Sequence, residues 1–96
     1  MNELVLVSTD DAPLRPVVEA ALENERRLLE AGIRRTELRL RQFEAVHQLT
    51  TTEFVRRFEN DEMDETLEFA EWIGEYRLLE RLHRKAGILR GIRFAN

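Results

Sequence analysis

The chain has 96 residues, 43% of which are hydrophobic, and its formal net charge is −4. This length fits one domain, and the hydrophobic fraction is high enough for a packed core, which argues against a disordered chain. Because the sequence contains no cysteine, it has no disulfide framework and no thiolate site.

Targeting signals are not apparent in the sequence. No apolar run reaches the roughly 20 residues that a membrane-spanning helix needs. The start, from Met1 to Val7, lacks the basic region and the long apolar stretch of a signal peptide. We therefore expect a soluble, cytoplasmic protein without membrane contact.

The charges are distributed unevenly. Residues 81–96 contain five basic side chains and no acid, whereas residues 53–75 contain nine acids and two arginines. A basic end can contact phosphate, an acidic partner or the acidic stretch of a second copy. Acids at the start of a helix and bases at its end also suit the helix dipole. Since the chain is acidic overall and has no basic stripe interleaved with aromatics, nucleic-acid binding is not expected.

Residues 1–15 are predicted to form an extended N-terminal segment. Leu4 to Val7 is an apolar run with β-branched members that could form a short N-terminal strand, although the run is too short for its period to separate a strand from buried coil. Turn-forming residues and Pro13 follow, and Pro16 suits the first turn of the next helix.

A long helix is predicted over residues 17–47. Apolar residues recur on it in steps of three and four, as in a coiled-coil seam. This stripe consists of Leu22, Leu29, Ile33, Leu40, Phe43 and His47, with Arg26 and Thr36 filling its remaining positions. Gly32 costs about 1 kcal/mol at mid-helix. It could break the helix or let another helix approach closely, and we expect a continuous helix.

A capping box predicts a short helix over residues 51–58. Thr50 can accept a hydrogen bond from the Glu53 N–H, and the Glu53 carboxylate can reach back to the Thr50 N–H.

The last helix is predicted over residues 65–86, followed by a basic, apolar tail over residues 87–96. Asp64 is its expected N-cap, and Gly87 is its expected stop.

This last helix has two apolar rows. One row consists of Leu67, Ala70, Gly74, Leu78 and Leu82; the other consists of Phe69, Trp72, Tyr76 and Leu79, with Ile73 between the rows. One row can pack on the first helix. The aromatic row then needs a cover of its own, either the short helix or another chain.

These elements predict an all-α fold for a single domain, residues 1–96. It is a long antiparallel helical hairpin with a short intervening helix, which dimerises into a bundle. The antiparallel arrangement brings the N-terminal segment and the tail to the same end. Residues 4–7 and 88–94 could pair there as a ribbon or dock on a partner.

Two Glu-x-x-His pairs, Glu44 with His47 and Glu80 with His83, match part of the ligand pattern of di-iron bundles. In a hairpin the two pairs lie roughly 25 Å apart, at 1.5 Å per residue. We therefore expect no metal site and no cofactor.

Arg77 and His83 have a spacing similar to the active-site signature of HEPN-type helical ribonucleases, whose two side chains face an RNA backbone. Arg41 and His47 have the same spacing, so an arginine-rich helix produces it readily. We expect a protein without enzymatic activity. A small helical ribonuclease is the alternative.

A wider resemblance covers residues 19–85. It is carried by the long first helix, by the Thr52-Glu53-Phe54 element with Phe58, and by the run from Glu71 to Glu75, Glu-Trp-Ile-Gly-Glu. This pattern resembles small helical antitoxin-like proteins of cyanobacteria and archaea, whose genes lie beside toxin genes of the TumE type. The resemblance implies a non-enzymatic module that self-associates and neutralises a cognate toxin. An oligomeric scaffold without a toxin partner is the other alternative.

Aromatic anchors usually dominate protein interfaces, so the aromatic row is the first candidate for partner binding. The tail is the second candidate. The candidate partner-binding residues are Phe69, Trp72, Ile73, Tyr76, Leu79, Arg90, Arg93 and Phe94.

Overall fold

The computed structural model describes residues 3–9 and 12–94, which contain three helices: α1 (Leu14–His47), α2 (Thr51–Glu59) and α3 (Leu67–Arg90). α1 and α3 run antiparallel, because Phe43 stacks on Trp72 while Gly32 lies against Leu82. The predicted all-α hairpin with a short intervening helix is confirmed. None of the three helices is long and apolar enough to cross a membrane.

α1 is continuous through Gly32. It begins at Leu14, three residues earlier than predicted, after an extended Pro13 at the N-cap. It ends where Gln48 adopts a left-handed conformation, with φ of 52°, and donates its N–H to the Glu44 carbonyl. The buried residues of this helix are Leu29, Gly32, Thr36, Leu40 and Phe43, so four members of the predicted stripe are buried. Its member Arg26 is exposed.

α2 is held at its start by two side chains. The Thr50 hydroxyl accepts a hydrogen bond from the Glu53 N–H at 3.2 Å, as predicted. The Glu53 carboxylate does not reach back to Thr50; it accepts hydrogen bonds from Arg56 and Arg57 instead. A carboxylate of α1 contributes to this end, since Glu44 Oε2 accepts from the Thr51 N–H at 2.8 Å.

α3 differs from its predicted bounds at both ends. Its N-cap is Thr66, whose hydroxyl accepts from the Phe69 N–H at 3.1 Å, and not Asp64. Gly87 does not stop the helix, which continues to Arg90. A mid-helix glycine costs only about 1 kcal/mol, and the half-buried Leu89 gives the last turn a packed side chain.

Residues 3–9 form neither helix nor strand, and the side chains of residues 4–7 are exposed. The N-terminal strand and the ribbon with residues 88–94 are therefore not present in the described part of the chain. Residues 88–90 belong to α3, where the helix uses their backbone hydrogen bonds.

The core lies at the α2 end of the hairpin. Its buried cluster consists of Leu40, Phe43, Phe54, Val55, Trp72 and Ile73. Toward the opposite end, the apolar side chains between α1 and α3 are half-buried. The protein is elongated, with extents of 59 × 26 × 19 Å and a radius of gyration of 19.0 Å.

Candidate interaction surfaces

The centre of the aromatic row is a three-ring stack that joins all three helices. Trp72 of α3 lies parallel to Phe54 of α2, with ring centroids 3.9 Å apart, and parallel to Phe43 of α1 at 5.5 Å. The indole N–H of Trp72 donates to the Thr51 hydroxyl at 3.1 Å. Trp72 and Phe54 are fully buried, so this stack is the inside of the protein and not a surface.

The C-terminal end of α1 closes one side of this stack. The His47 ring lies 5.4 Å from the Trp72 ring and 5.1 Å from the Phe69 ring. His47 Nε2 is 3.1 Å from Glu68 Oε1, which is within ion-pair distance when the imidazole is protonated. The contact lacks hydrogen-bond geometry, so this buried nitrogen has no hydrogen-bond partner among the described residues.

Of the two predicted covers for the aromatic row, the short helix is the one present. Trp72 and Ile73 are buried within the chain, and a partner can reach them only if this packing opens. Phe69, Tyr76 and Leu79 are half-buried and pack against the same cluster. Of the candidate partner-binding residues in this row, Phe69, Tyr76 and Leu79 are therefore the ones with surface accessible in the folded chain.

Tyr76 shows how the edge of the row meets solvent. Its hydroxyl donates to Glu80 Oε2 at 3.2 Å. Burial raises the pKa of Tyr76, and the hydrogen bond and negative charge of Glu80 raise it further. The phenol therefore stays neutral at physiological pH.

The tail lies beside the start of α1, as the antiparallel arrangement predicts. The Arg15 guanidinium lies 4.8 Å from the centre of the Phe94 ring, which is half-buried. Arg90 and Arg93 are exposed. Phe94 thus contacts the first turn of α1, and the two arginines are the accessible members of the predicted tail site.

The outward side of α3 is exposed and cationic along its second half. We call this surface the basic face; it consists of Arg77, Arg81, Arg84, Lys85 and Ile88, all exposed. At 100° per residue, these positions fall within about 100° of one another around the helix. None of the four cations forms an ion pair within the described residues. Toward the start of α3 this face continues into the exposed Leu67, Ala70 and Gly74.

α1 carries a second line of residues in steps of four and three, roughly 120° around the helix from its buried stripe. We call it the outer seam; it consists of Val17, Ala21, Asn24, Leu28, Ala31, Arg35, Leu38, Gln42 and Ala45, all exposed. Leu28 is 61% exposed and Leu38 is 51% exposed. The outer seam was not predicted from the sequence, because the more apolar buried stripe of α1 already accounts for the helical periodicity.

The two candidate catalytic residues lie on the same helix. Arg77 and His83 are both exposed on α3. A spacing of six positions on a helix places them about 9 Å apart along the axis and about 120° apart around it. The Glu-x-x-His pairs have other roles: Glu44 caps α2, and Glu80 accepts from Tyr76. The described residues contain no group of three His, Asp or Glu side chains that could hold a metal ion.

Two surface carboxylates are clamped by arginines. Arg26 donates to Glu23, and this hydrogen bond is the main reason that the pKa of Glu23 is lowered to about 2. Arg56 and Arg57 lower the pKa of Glu53 to about 2 in the same way. Both groups are accessible to solvent, so these pairs fix local helix geometry and add little to global stability.

No family model, curated protein or solved structure matches the chain.

Proposed function

We propose that this chain is a non-enzymatic, antitoxin-like interaction module that self-associates and neutralises a cognate toxin by binding it. The observation that carries the proposal is the large solvent-accessible surface of the chain. The chain exposes 7826 Å², whereas a compact monomer of its mass exposes about 5,800 Å².

The shape of the protein supports the same proposal. Its radius of gyration is 19.0 Å, compared with about 12.5 Å for a compact domain of this length. A specific interface of ordinary size removes about 800 Å² from each partner. The surplus is therefore large enough for two interfaces, one with a second copy and one with a different protein.

The basic face supports binding to an acidic partner surface. Its cations have no ion pair within the described residues, and the exposed Ile88 lies among them. Arginine pairs with carboxylates through two parallel hydrogen bonds and is enriched at interfaces. Arg90 and Arg93 extend the same charge into the tail. The resemblance to antitoxin-like proteins makes a toxin the class of partner to test first.

The aromatic row has a different part in this proposal. Trp72 and Ile73 form the rigid support behind the surface, while the half-buried edges of Phe69, Tyr76 and Leu79 are the parts that a partner can touch.

Co-expression with the product of the neighbouring gene tests the proposal. We expect the two proteins to co-purify, and the triple variant Arg77→Glu, Arg81→Glu and Arg84→Glu to lose the complex. The matched control replaces the same three residues with lysine, which preserves the charge and should preserve most binding. If the wild-type proteins do not co-purify, the toxin-binding proposal is wrong. If the glutamate variant binds as well as wild type, the basic face is not the contact.

The ribonuclease alternative makes a different prediction for the same samples. It requires the purified wild-type chain to cleave RNA and His83→Ala to abolish the cleavage. Arg41 provides a comparison, because Arg41→Ala should have no effect on a site that uses Arg77.

A further inference from the structure

The outer seam of α1 has no partner within the described part of the chain. Its positions alternate in steps of four and three from Val17 to Ala45, and every one of them is exposed. A helix that only closed a hairpin would need one apolar stripe, and α1 already has one in its buried side. Six of the nine seam positions are nevertheless apolar, and Val17, Leu28 and Leu38 are more than half exposed, so a second helix can bury apolar surface here.

We infer that the outer seam binds the outer seam of a second copy, with the two α1 helices antiparallel and a two-fold axis between Leu28 and Ala31. This inference deepens the self-association in the proposed function, because it assigns the surface and the orientation. In antiparallel coiled coils, seam positions of the two classes, a and d, face each other, and this register pairs them so. The facing pairs are Leu28 with Ala31, Asn24 with Arg35, Ala21 with Leu38, and Val17 with Gln42.

The side chains in these pairs complement one another. Each exposed leucine of the seam faces an alanine, so in these pairs a large residue meets a small one, which favours dense packing. The Asn24 carbonyl can accept hydrogen bonds from the Arg35 guanidinium, and the symmetry supplies this pair twice. The single seam cation therefore has a polar partner in the dimer, although it has no ion pair among the described residues of the monomer.

Other arrangements lose this complementarity. A parallel, in-register dimer places Arg35 against Arg35 and Ala21 against Ala21. An antiparallel dimer shifted by seven residues in one direction places Asn24 against Leu28; shifted in the other direction, it places Arg35 against Ala31. The pattern of sizes and polar groups selects the antiparallel register centred between Leu28 and Ala31.

The position of the axis also favours this arrangement. It lies at the middle of α1, so the two helices overlap along nearly their whole length of about 51 Å. The basic face belongs to α3 and shares no residue with the seam, so such a dimer has two basic faces, one on each protomer. The dimer would present two equivalent surfaces to an acidic partner.

The first experiment measures the oligomeric state of the purified chain by analytical ultracentrifugation. We expect a dimer for wild type. Leu28→Glu and Leu38→Glu each bury two charges per dimer and should raise the dissociation constant at least about 100-fold. Leu67→Glu is the matched control, since Leu67 is 79% exposed and lies outside the seam. A wild-type monomer, or a Leu28→Glu variant that dimerises like Leu67→Glu, overturns the inference.

The second experiment tests the orientation by charge exchange. Asn24→Arg places two arginines against each other in the antiparallel dimer and should weaken it at least about tenfold. Adding Arg35→Glu places the introduced arginine opposite the introduced glutamate and should restore dimerisation. In a parallel dimer the double variant would align like charges at both positions and would not recover. Weakening that the second substitution does not rescue rules out the antiparallel register.

These results are separable from the toxin proposal. Leu28→Glu should lose the dimer but still co-purify with an acidic partner, because its basic face is intact. If the chain forms the dimer but does not co-purify with a toxin, the toxin-binding proposal is wrong and the inference about the outer seam is unaffected.

Discussion

Trp72 and Thr51 form the one side-chain hydrogen bond that joins α2 to α3 in the described part of the chain, with the indole N–H donating to the hydroxyl at 3.1 Å. Trp72 is fully buried and Thr51 is 7% exposed. A buried donor without a partner is costly, so this contact fixes where the first turn of α2 sits on the hairpin. It explains how a helix of nine residues can cover the aromatic row.

Thr51→Val tests that contact. The substitution keeps the shape of the side chain but leaves the indole N–H unpaired, so we expect a loss of about 1–3 kcal/mol in the free energy of unfolding. Urea denaturation measures it. Thr52→Val, one residue further on at an exposed position, is the control and should change stability by less than about 0.5 kcal/mol. Equal stability of the two variants would show that water satisfies the indole.

Two glycines of the hairpin differ in what surrounds them. A Cβ at Gly74 would meet nothing within 4 Å, whereas a Cβ at Gly32 would lie 3.4 Å from a methyl group of Leu82. Gly74→Ala should therefore raise the free energy of unfolding by up to about 1 kcal/mol through helix propensity alone. Gly32→Ala should do so by less.

Gly32→Leu extends this test to overpacking. Its larger side chain must push α1 and α3 apart, and we expect a loss of about 1–3 kcal/mol. Thermal unfolding of the variants should give the order, from most to least stable, Gly74→Ala, Gly32→Ala, wild type, Gly32→Leu. A stable Gly32→Leu variant would mean that the two helices can separate at this level without cost.

The pKa of Glu53 predicts a local dependence on pH. Since Arg56 and Arg57 lower it from 4.5 to about 2, the stabilising effect of this carboxylate is fully present above its ordinary pKa and is lost as the pH falls toward 2. Carboxyl NMR should show Glu53 titrating well below its ordinary value of 4.5. In an Arg56→Ala, Arg57→Ala variant it should titrate near its ordinary value. Because the group is accessible to solvent, the accompanying change in global stability is small.

The sequence predicted the helices well because their signals are local. The spacing of Leu29, Leu40 and Phe43 marked the buried side of α1, and Thr50 marked the start of α2. The cap at Thr66 was missed because Asp64 is an equally good capping residue and two positions away. The end at Gly91 was missed because glycine permits a helix end without requiring one.

The sequence alone could not show which neighbouring element covers each helix face. Phe69 and Trp72 form a row that either a second chain or α2 could cover, and the choice depends on where Phe54 lies in space. Periodicity shows which residues share a face but not which neighbour covers it. The basic face was visible only as an excess of charge after Glu80, and the extension of α3 to Arg90 is what places Ile88 among its cations.

Stability is expected to differ between the two ends of the hairpin. At the α2 end, Phe54 is fully buried and stacks on Trp72 at 3.9 Å, so Phe54→Ala should cost about 3–5 kcal/mol. At the open end, Phe94 is half-buried against Arg15, and Phe94→Ala should cost about 0.5–1 kcal/mol, the size of an exposed cation–π contact. Urea denaturation distinguishes the two.

Native-state hydrogen exchange tests the same gradient without substitution. Amides of residues 69–79 are expected to exchange only through global unfolding, whereas amides of residues 84–90 should exchange through local opening of the last turns of α3. The proposed dimer covers the outer seam of α1 but not this part of α3, so the fast exchange should persist at high protein concentration. Uniform protection along α3 would mean that the tail holds the open end as firmly as the aromatic stack holds the other. In that case Phe94→Ala should be as damaging as Phe54→Ala.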